Sequence, residues 1–263
     1  MSMWDIEKLD LDAYLARIGH PRVAPSAEAL RSLHRAHVLA IPFENIDVIL
    51  GTHPGISLDA IQAKLVGRQR GGYCYEHALL FGAALEQLGY DVVRRVARVQ
   101  PHKSGPRTHA LLKVGVNGEE FLADVGFGAG QLYPTPLKDG AVVDQAGWDH
   151  RLTQDGDVWT LSKQTPEGWI PQHASNDEPV RPIDYEVYHH YVSTHPNSPF
   201  TGRPVVMRVT EGEVRRLIGT TLYTDHPNTP TTERPVPPSA LPEVLASLDV
   251  ILTDEEADRL HLL

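Results

Sequence analysis

The sequence predicts an α+β protein with a helical N-terminal third, a middle of short antiparallel strands and a mixed C-terminal third. Three observations carry this. Apolar residues recur at helical spacing through the first 90 residues. At Tyr90 the period changes to short apolar runs separated by tight, glycine-containing turns, as in a small antiparallel sheet or barrel. The last third mixes strand-like runs with two closing helical patterns. The length of 263 residues suits two or three modules. Their expected bounds are 1–90 for the helical bundle, 91–195 for the barrel-like middle and 196–263 for the closing part.

Each element has its own signal. Asp10 is placed to cap a helix whose buried face is Leu11, Tyr14, Leu15 and Ile18, and Gly19 ends it. Ser26 starts a second helix, with Leu30, Leu33, His34, His37 and Val38 on one stripe. Pro42 stops it. Ser57 caps a third, with Leu58, Ile61 and Leu65 inward. Gly71-Gly72 opens a fourth, carrying Leu79, Leu80, Ala83, Ala84 and Leu88, and Gly89 closes it. Val92, Val93, Val96 and Val99 suggest a strand. Asn117-Gly118 between two apolar runs predicts a hairpin, and Asp155-Gly156 predicts another. A helix is expected over about 183–193, then a break at Pro196 and Pro199. Strands are expected at Val205–Val209 and from Arg216. Pro235, Pro237 and Pro238 read as a surface connector. Thr253 and Glu256 form a capping box for the final helix.

Composition excludes several functions. Lys and Arg total 24 against 34 Asp and Glu, a formal charge of −10. Without a basic stripe, such a chain does not neutralise nucleic-acid phosphates. One cysteine makes neither an internal disulfide nor a four-cysteine zinc site. No apolar run approaches the roughly 18 residues that span a bilayer. The first residues, through Trp4 and Asp5, lack the pattern of a secretory signal, so a cytoplasmic protein is expected. No histidine group, including His34 with His37 and His189 with His190, finds partners at ligand spacing, so no metal is expected.

The informative segment is Arg70-Gly71-Gly72-Tyr73-Cys74-Tyr75-Glu76. It places the single cysteine at a helix start, where unpaired N–H groups favour a thiolate. The two glycines allow close backbone approach. A lone cysteine is as readily a small buried hydrophobe, so partners decide the matter. A thiolate nucleophile needs a base, and the base an orienting group. His109 begins a strand, and Asp124 is an acid embedded in the apolar return strand of the same hairpin. Extending the register from Val116 opposite Glu119 puts His109 opposite Gly126. That makes Asp124 its diagonal neighbour, at about 7–8 Å between backbones. Each residue alone reads as structural; together with Cys74 they read as a site. Gly126-Phe127-Gly128-Ala129-Gly130 follows Asp124 and could admit a phosphate-bearing cosubstrate, but it opens no helix. Glu44 is placed to pair with Arg70 and hold the cysteine loop.

These residues resemble the arylamine N-acetyltransferases. The cysteine segment resembles that family's signature. Ile41-Pro42-Phe43-Glu44-Asn45-Ile46-Asp47, Thr108-His109, Ala123 to Gly128 and Ser193 to Phe200 resemble further family segments, in the same order. Ala78 departs from an asparagine common in the family. The resemblance implies a helical bundle, a β-barrel-like middle and a C-terminal α/β lid around a cysteine-protease-like core. It implies a Cys-His-Asp triad of Cys74, His109 and Asp124. It implies a ping-pong transfer from acetyl-coenzyme A to an arylamine, hydrazine or N-hydroxyarylamine. Thr108, Gly126, Phe127, Gly128 and Phe200 would lie along the coenzyme, and Tyr73, Phe127 and Phe200 along the acceptor. Two other chemistries fit the same triad: an amide synthase using a longer or carrier-bound acyl thioester, and a hydrolase. The self-association state stays open, a homo-oligomer included.

Overall fold

The computed structural model describes residues 2–178 and 180–261. The expected caps form. Asp10 accepts from the backbone N–H of Ala13 at 3.0 Å to start α1 (Leu11–Ile18), and Gly19 ends it at φ 64°. Ser26 does the same through Ala29 for α2 (Ala27–Ala40). After β1 (Phe43–Glu44) come α3 (Ile46–Ile49) and α4 (Leu58–Gln62), the last running into a π-helical turn over Ala63–Gly67. The fifth helix, α5 (Cys74–Leu88), is buried without a break from Cys74 to Leu85. It is apolar nearly all round, so it forms the axis of the bundle rather than a surface element. Tyr14, Leu15, Leu30, Leu33, Ile61 and Leu65 pack around it in one core.

Eight strands follow as one antiparallel sheet: β2 (Asp91–Val99), β3 (Arg107–Val116), β4 (Glu119–Ala123), β5 (Thr135–Pro136), β6 (Val142–Asp144), β7 (Asp149–Asp155), β8 (Val158–Thr165) and β9 (Gly168–Ser175). Their order is β5-β4-β3-β2-β9-β8-β7-β6. The end strands β5 and β6 are joined by residues 137–141 alone, which bond to Glu120 on one side and Leu152 on the other. A sheet whose two edges are that close has curled into a nearly closed barrel. The β3–β4 turn is the expected Asn117-Gly118, both at positive φ, and pairs Val116 with Glu119. The ladder runs to Leu112 opposite Ala123 and stops there, so Asp124 lies just beyond the strand.

After α6 (Pro182–Thr194), β10 (Val205–Thr210), β11 (Glu213–Ile218), β12 (Thr221–Asp225) and β13 (Thr232–Pro235) build a second sheet. Then come α7 (Leu241–Ser247) and α8 (Asp254–His261). The expected box caps α8: Thr253 N–H donates to Glu256, and Glu256 N–H donates to Thr253.

One expectation is corrected. The first third is not wholly helical: β1 pairs with β10, Phe43 opposite Met207 and Glu44 opposite Val206. Ile46 and Leu50 join Val206, Leu217, Leu245 and Leu248 in a second core. Two residues carry no period to read, and their strand partner lies far along the chain. The first 90 residues thus supply an edge strand and a helix to the C-terminal sheet.

Candidate active site

The site begins at the loop before α5. Gly72 donates to Pro42 O at 3.3 Å and accepts from Glu44 N–H at 2.8 Å, so the loop runs flush along β1. A side chain at Gly71 would overlap the Pro42 carbonyl. Glu76 reaches back to accept from Tyr73 N–H at 3.0 Å. This fixes Cys74 as the first helical residue, buried beside β3. Its Sγ lies 3.8 Å from the Thr108 carbonyl, which also accepts from Tyr75 OH at 2.8 Å.

His109 follows Thr108 on β3. Its Nε2 lies 2.7 Å from Asp124 Oδ2, with both residues almost fully buried. The carboxylate takes that nitrogen, so Nδ1 is left for the thiol. Burial alone would lower the His109 pKa. The Asp124 charge and hydrogen bond, helped by Cys74, outweigh it and raise the value to about 10. Burial opposes the Asp124 charge too, but His109 and His173 hold its carboxyl well below the usual range. Asp124 Oδ1 accepts from Gly126 N–H at 3.3 Å, and Asp124 N–H donates to His34 Nε2 at 3.1 Å. His34 donates from Nδ1 to Leu132 O, and burial lowers its pKa to about 4, so it stays neutral.

The loop is held by a charged cluster. Arg70 Nη2 lies 3.4 Å from Glu44, the expected partner, and 3.1 Å from Asp47. Its Nη1 lies 3.1 Å from Glu256 of α8. Buried Lys64 donates to Glu76 at 2.9 Å and faces Glu44 and Asp47. Beneath the loop runs a second chain. His77 Nε2 faces the carbonyls of Gly72 and Pro42, so it carries the proton there. His37 then donates to His77 Nδ1 at 2.8 Å, and Tyr14 OH donates to His37 Nδ1 at 2.8 Å.

The expected contact residues fall into two groups. Phe127 packs edge-on against His109 at 5.0 Å. Phe200 lies 6.0 Å from Tyr73 and 5.8 Å from Phe43, making an aromatic wall. The glycines serve packing. A Cβ on Gly126 would lie 2.9 Å from Cys74 Cα, and one on Gly128 would press on Phe43 and Met207. Gly126 N–H is spent on Asp124 rather than free for a phosphate. A cavity of about 410 Å³ opens between Trp4, Ile56, Leu79, Tyr185 and His189. It contains none of the expected acceptor residues.

A family model described as N-acetyltransferase matches residues 26–248. An arylamine N-acetyltransferase of Mycolicibacterium smegmatis is 41% identical over 225 residues, 81% of this chain and 82% of its own length. The chain belongs to the arylamine N-acetyltransferase family. Two solved family structures agree. That of Nocardia farcinica superposes with a TM-score of 0.92 at 40% identity, covering 98% of this chain and 95% of that one. That of Mycobacterium marinum in complex with CoA gives 0.87 at 32%, covering 96% and 99%.

The site also holds residues the sequence did not single out. His173, on β9, places Nε2 3.1 Å from Asp124 Oδ2. The donor atoms of His109, Asp124 and His173 lie within 4.8 Å of one another, a spacing a cation could use. Two of the three, His109 and Asp124, already pair with each other at 2.7 Å. Strand β9 has no readable strand pattern because Pro171 lies within it, opposite Ser162 at a register shift between Leu161 and Ser162. Phe43, His77, Lys64 and Glu256 were visible as residues but not as neighbours of the cysteine. No helix among the described residues is long and apolar enough to cross a membrane.

Proposed function

We propose that this chain transfers an acetyl group from acetyl-coenzyme A to an arylamine, hydrazine or N-hydroxyarylamine through an acetyl-cysteine at Cys74. One observation carries the roles: His109 Nε2 is committed to Asp124 at 2.7 Å, which leaves its other nitrogen for the Cys74 thiol. Family membership supports the reaction class, and the CoA complex of the Mycobacterium marinum protein supports the donor.

In the first half-reaction, the Cys74 thiolate attacks the thioester carbonyl. Coenzyme A leaves as a thiolate and takes its proton from His109. In the second, the amine nitrogen attacks acetyl-Cys74, its proton passes to His109, and the Cys74 thiolate departs. A thioester exchanged for a thioester is nearly isoenergetic, so the protein supplies mainly position, proton transfer and charge stabilisation. Backbone N–H groups at the start of α5 suit the developing oxyanion. The wall of Phe43, Tyr73 and Phe200, with Phe127 on His109, suits a flat acceptor and shields the acyl-enzyme from water. Thr108, whose carbonyl lies 3.8 Å from Cys74 Sγ, and Phe200 would lie along the coenzyme.

The test is an intact-mass spectrum after incubation with acetyl-coenzyme A, for the wild type and Cys74→Ala. One acetyl group on the wild type only, discharged by an arylamine, is the expected result. An adduct on Cys74→Ala would defeat the nucleophile assignment. No adduct from acetyl-coenzyme A, with one from a carrier-bound acyl thioester, would replace the donor.

A further inference from the structure

We propose that His173 is a positioning residue for the reaction: its Nε2–H secures the Asp124 carboxylate, so that Asp124 can hold His109. The inference rests on the Cys74–His109–Asp124 reading above and extends it by a fourth residue, from a strand that carries none of the other three.

Four observations lead there. His173 is 1% exposed, yet among the described residues its ring nitrogens have no hydrogen-bond partner of good geometry. Asp124 Oδ2 faces it, 3.1 Å from Nε2 and off the ideal line. That same oxygen receives His109. The His173 ring is also wedged in place, 5.2 Å from the His109 ring and 5.1 Å from Phe127.

The chemistry selects one tautomer. A lone pair on Nε2 would face a buried carboxylate and be repelled, so Nε2 carries the proton. Burial lowers the His173 pKa, which keeps the ring neutral and its second nitrogen unprotonated. The contact is thus a neutral donor against a carboxylate, worth more in a dry site than in water. Its consequence is geometric. Oδ1 is tied to Gly126 N–H, and Oδ2 stands between two imidazoles. Without His173, Oδ2 loses one of the two imidazoles that flank it, and the carboxylate is freer to turn away from His109. The rotation of one carboxylate then decides whether His109 presents the correct nitrogen to Cys74.

A packing residue and a donor are separable by replacement. His173→Phe keeps a ring between Phe127 and His109 but removes the N–H. His173→Gln places an amide N–H where Nε2 stood. The readout is the single-turnover rate of Cys74 acetylation, with KM for the amine measured alongside. His173→Phe should slow acetylation by about tenfold and leave KM within about twofold. His173→Gln should recover most of the rate. In an Asp124→Asn background, His173→Phe should cost nothing further, because no carboxylate remains to be held.

Three outcomes overturn the proposal: a wild-type rate in His173→Phe, a Gln variant as slow as the Phe variant, or the same loss repeated on Asp124→Asn. A wild-type rate in Asp124→Asn alone would instead sink the triad reading. Should His173→Phe not fold, His173→Asn replaces it, since its amide is one methylene too short to reach Oδ2. A wild-type activity abolished by chelator and restored by zinc would assign the trio to a cation and also overturn the proposal.

Discussion

His109 is held between a carboxylate and a thiol, while burial works against its charge. Its pKa is raised from the ordinary 6.5 to about 10. A raised folded-state value contributes stability that is complete below about 6.5 and fades as pH climbs toward 10. The unfolding free energy should therefore fall over that window, and the fall should be absent in Asp124→Asn. Urea titrations across the range test this; an equal slope in both proteins would contradict the pairing. The same substitution should cut Cys74 acetylation by about three orders of magnitude, because a neutral amide no longer selects the His109 tautomer. Residue identity was legible from sequence here. Cys74, His109 and Asp124 stand out by type and by position in a helix start and a hairpin. His173 does not, because nothing near it in the chain ties it to Asp124.

The start of α5 depends on how closely other elements approach it. Gly126 lies so near Cys74 that a Cβ would sit 2.9 Å from the Cys74 Cα. Gly126→Ala must displace either the helix start or the Asp124 turn. It should lower acetylation by at least about tenfold, since reacting geometry tolerates little error. A single-turnover rate near wild type would show that the contact relaxes freely. The Glu76 carboxylate completes the same helix start. Burial raises its pKa, but Lys64 and His53 bring it to about 2. A depressed value contributes stability above the ordinary 4.5 that is lost as pH falls toward 2. Glu76→Gln leaves Lys64 buried with one fewer partner and should cost about 3 kcal/mol in denaturant unfolding. A loss below about 1 kcal/mol would mean that Glu44 and Asp47 suffice for Lys64.

At the scale of the molecule, the nucleophile loop is clamped from both ends of the chain. Arg70 meets Glu44 and Asp47 from the N-terminal third and Glu256 from α8. Glu256 also caps its own helix, so the capping box seen in the sequence does two jobs. Glu256→Ala should lower stability by about 2 kcal/mol, the scale of a charge-assisted hydrogen bond to a partly buried group. It should also speed alkylation of Cys74 in the native protein. Unchanged alkylation with lowered stability would confine Glu256 to its cap.

The sequence by itself determined what local physics controls. Caps at Asp10, Ser26 and Thr253, the Asn117-Gly118 turn and its register, and the helix start at Cys74 all depend on residues within a few positions of each other. The hairpin register already brought His109 and Asp124 together, although the ladder ends at Ala123 and the last step is made by the turn beyond it. Only the tertiary structure decided the rest. Strand β1 exists because β10 is beside it, β9 because the barrel curls, and the Tyr14–His37–His77 chain because three helices meet beneath one loop. Those contacts join residues far apart in sequence, and no short pattern encodes which distant partner a buried donor or strand edge will meet.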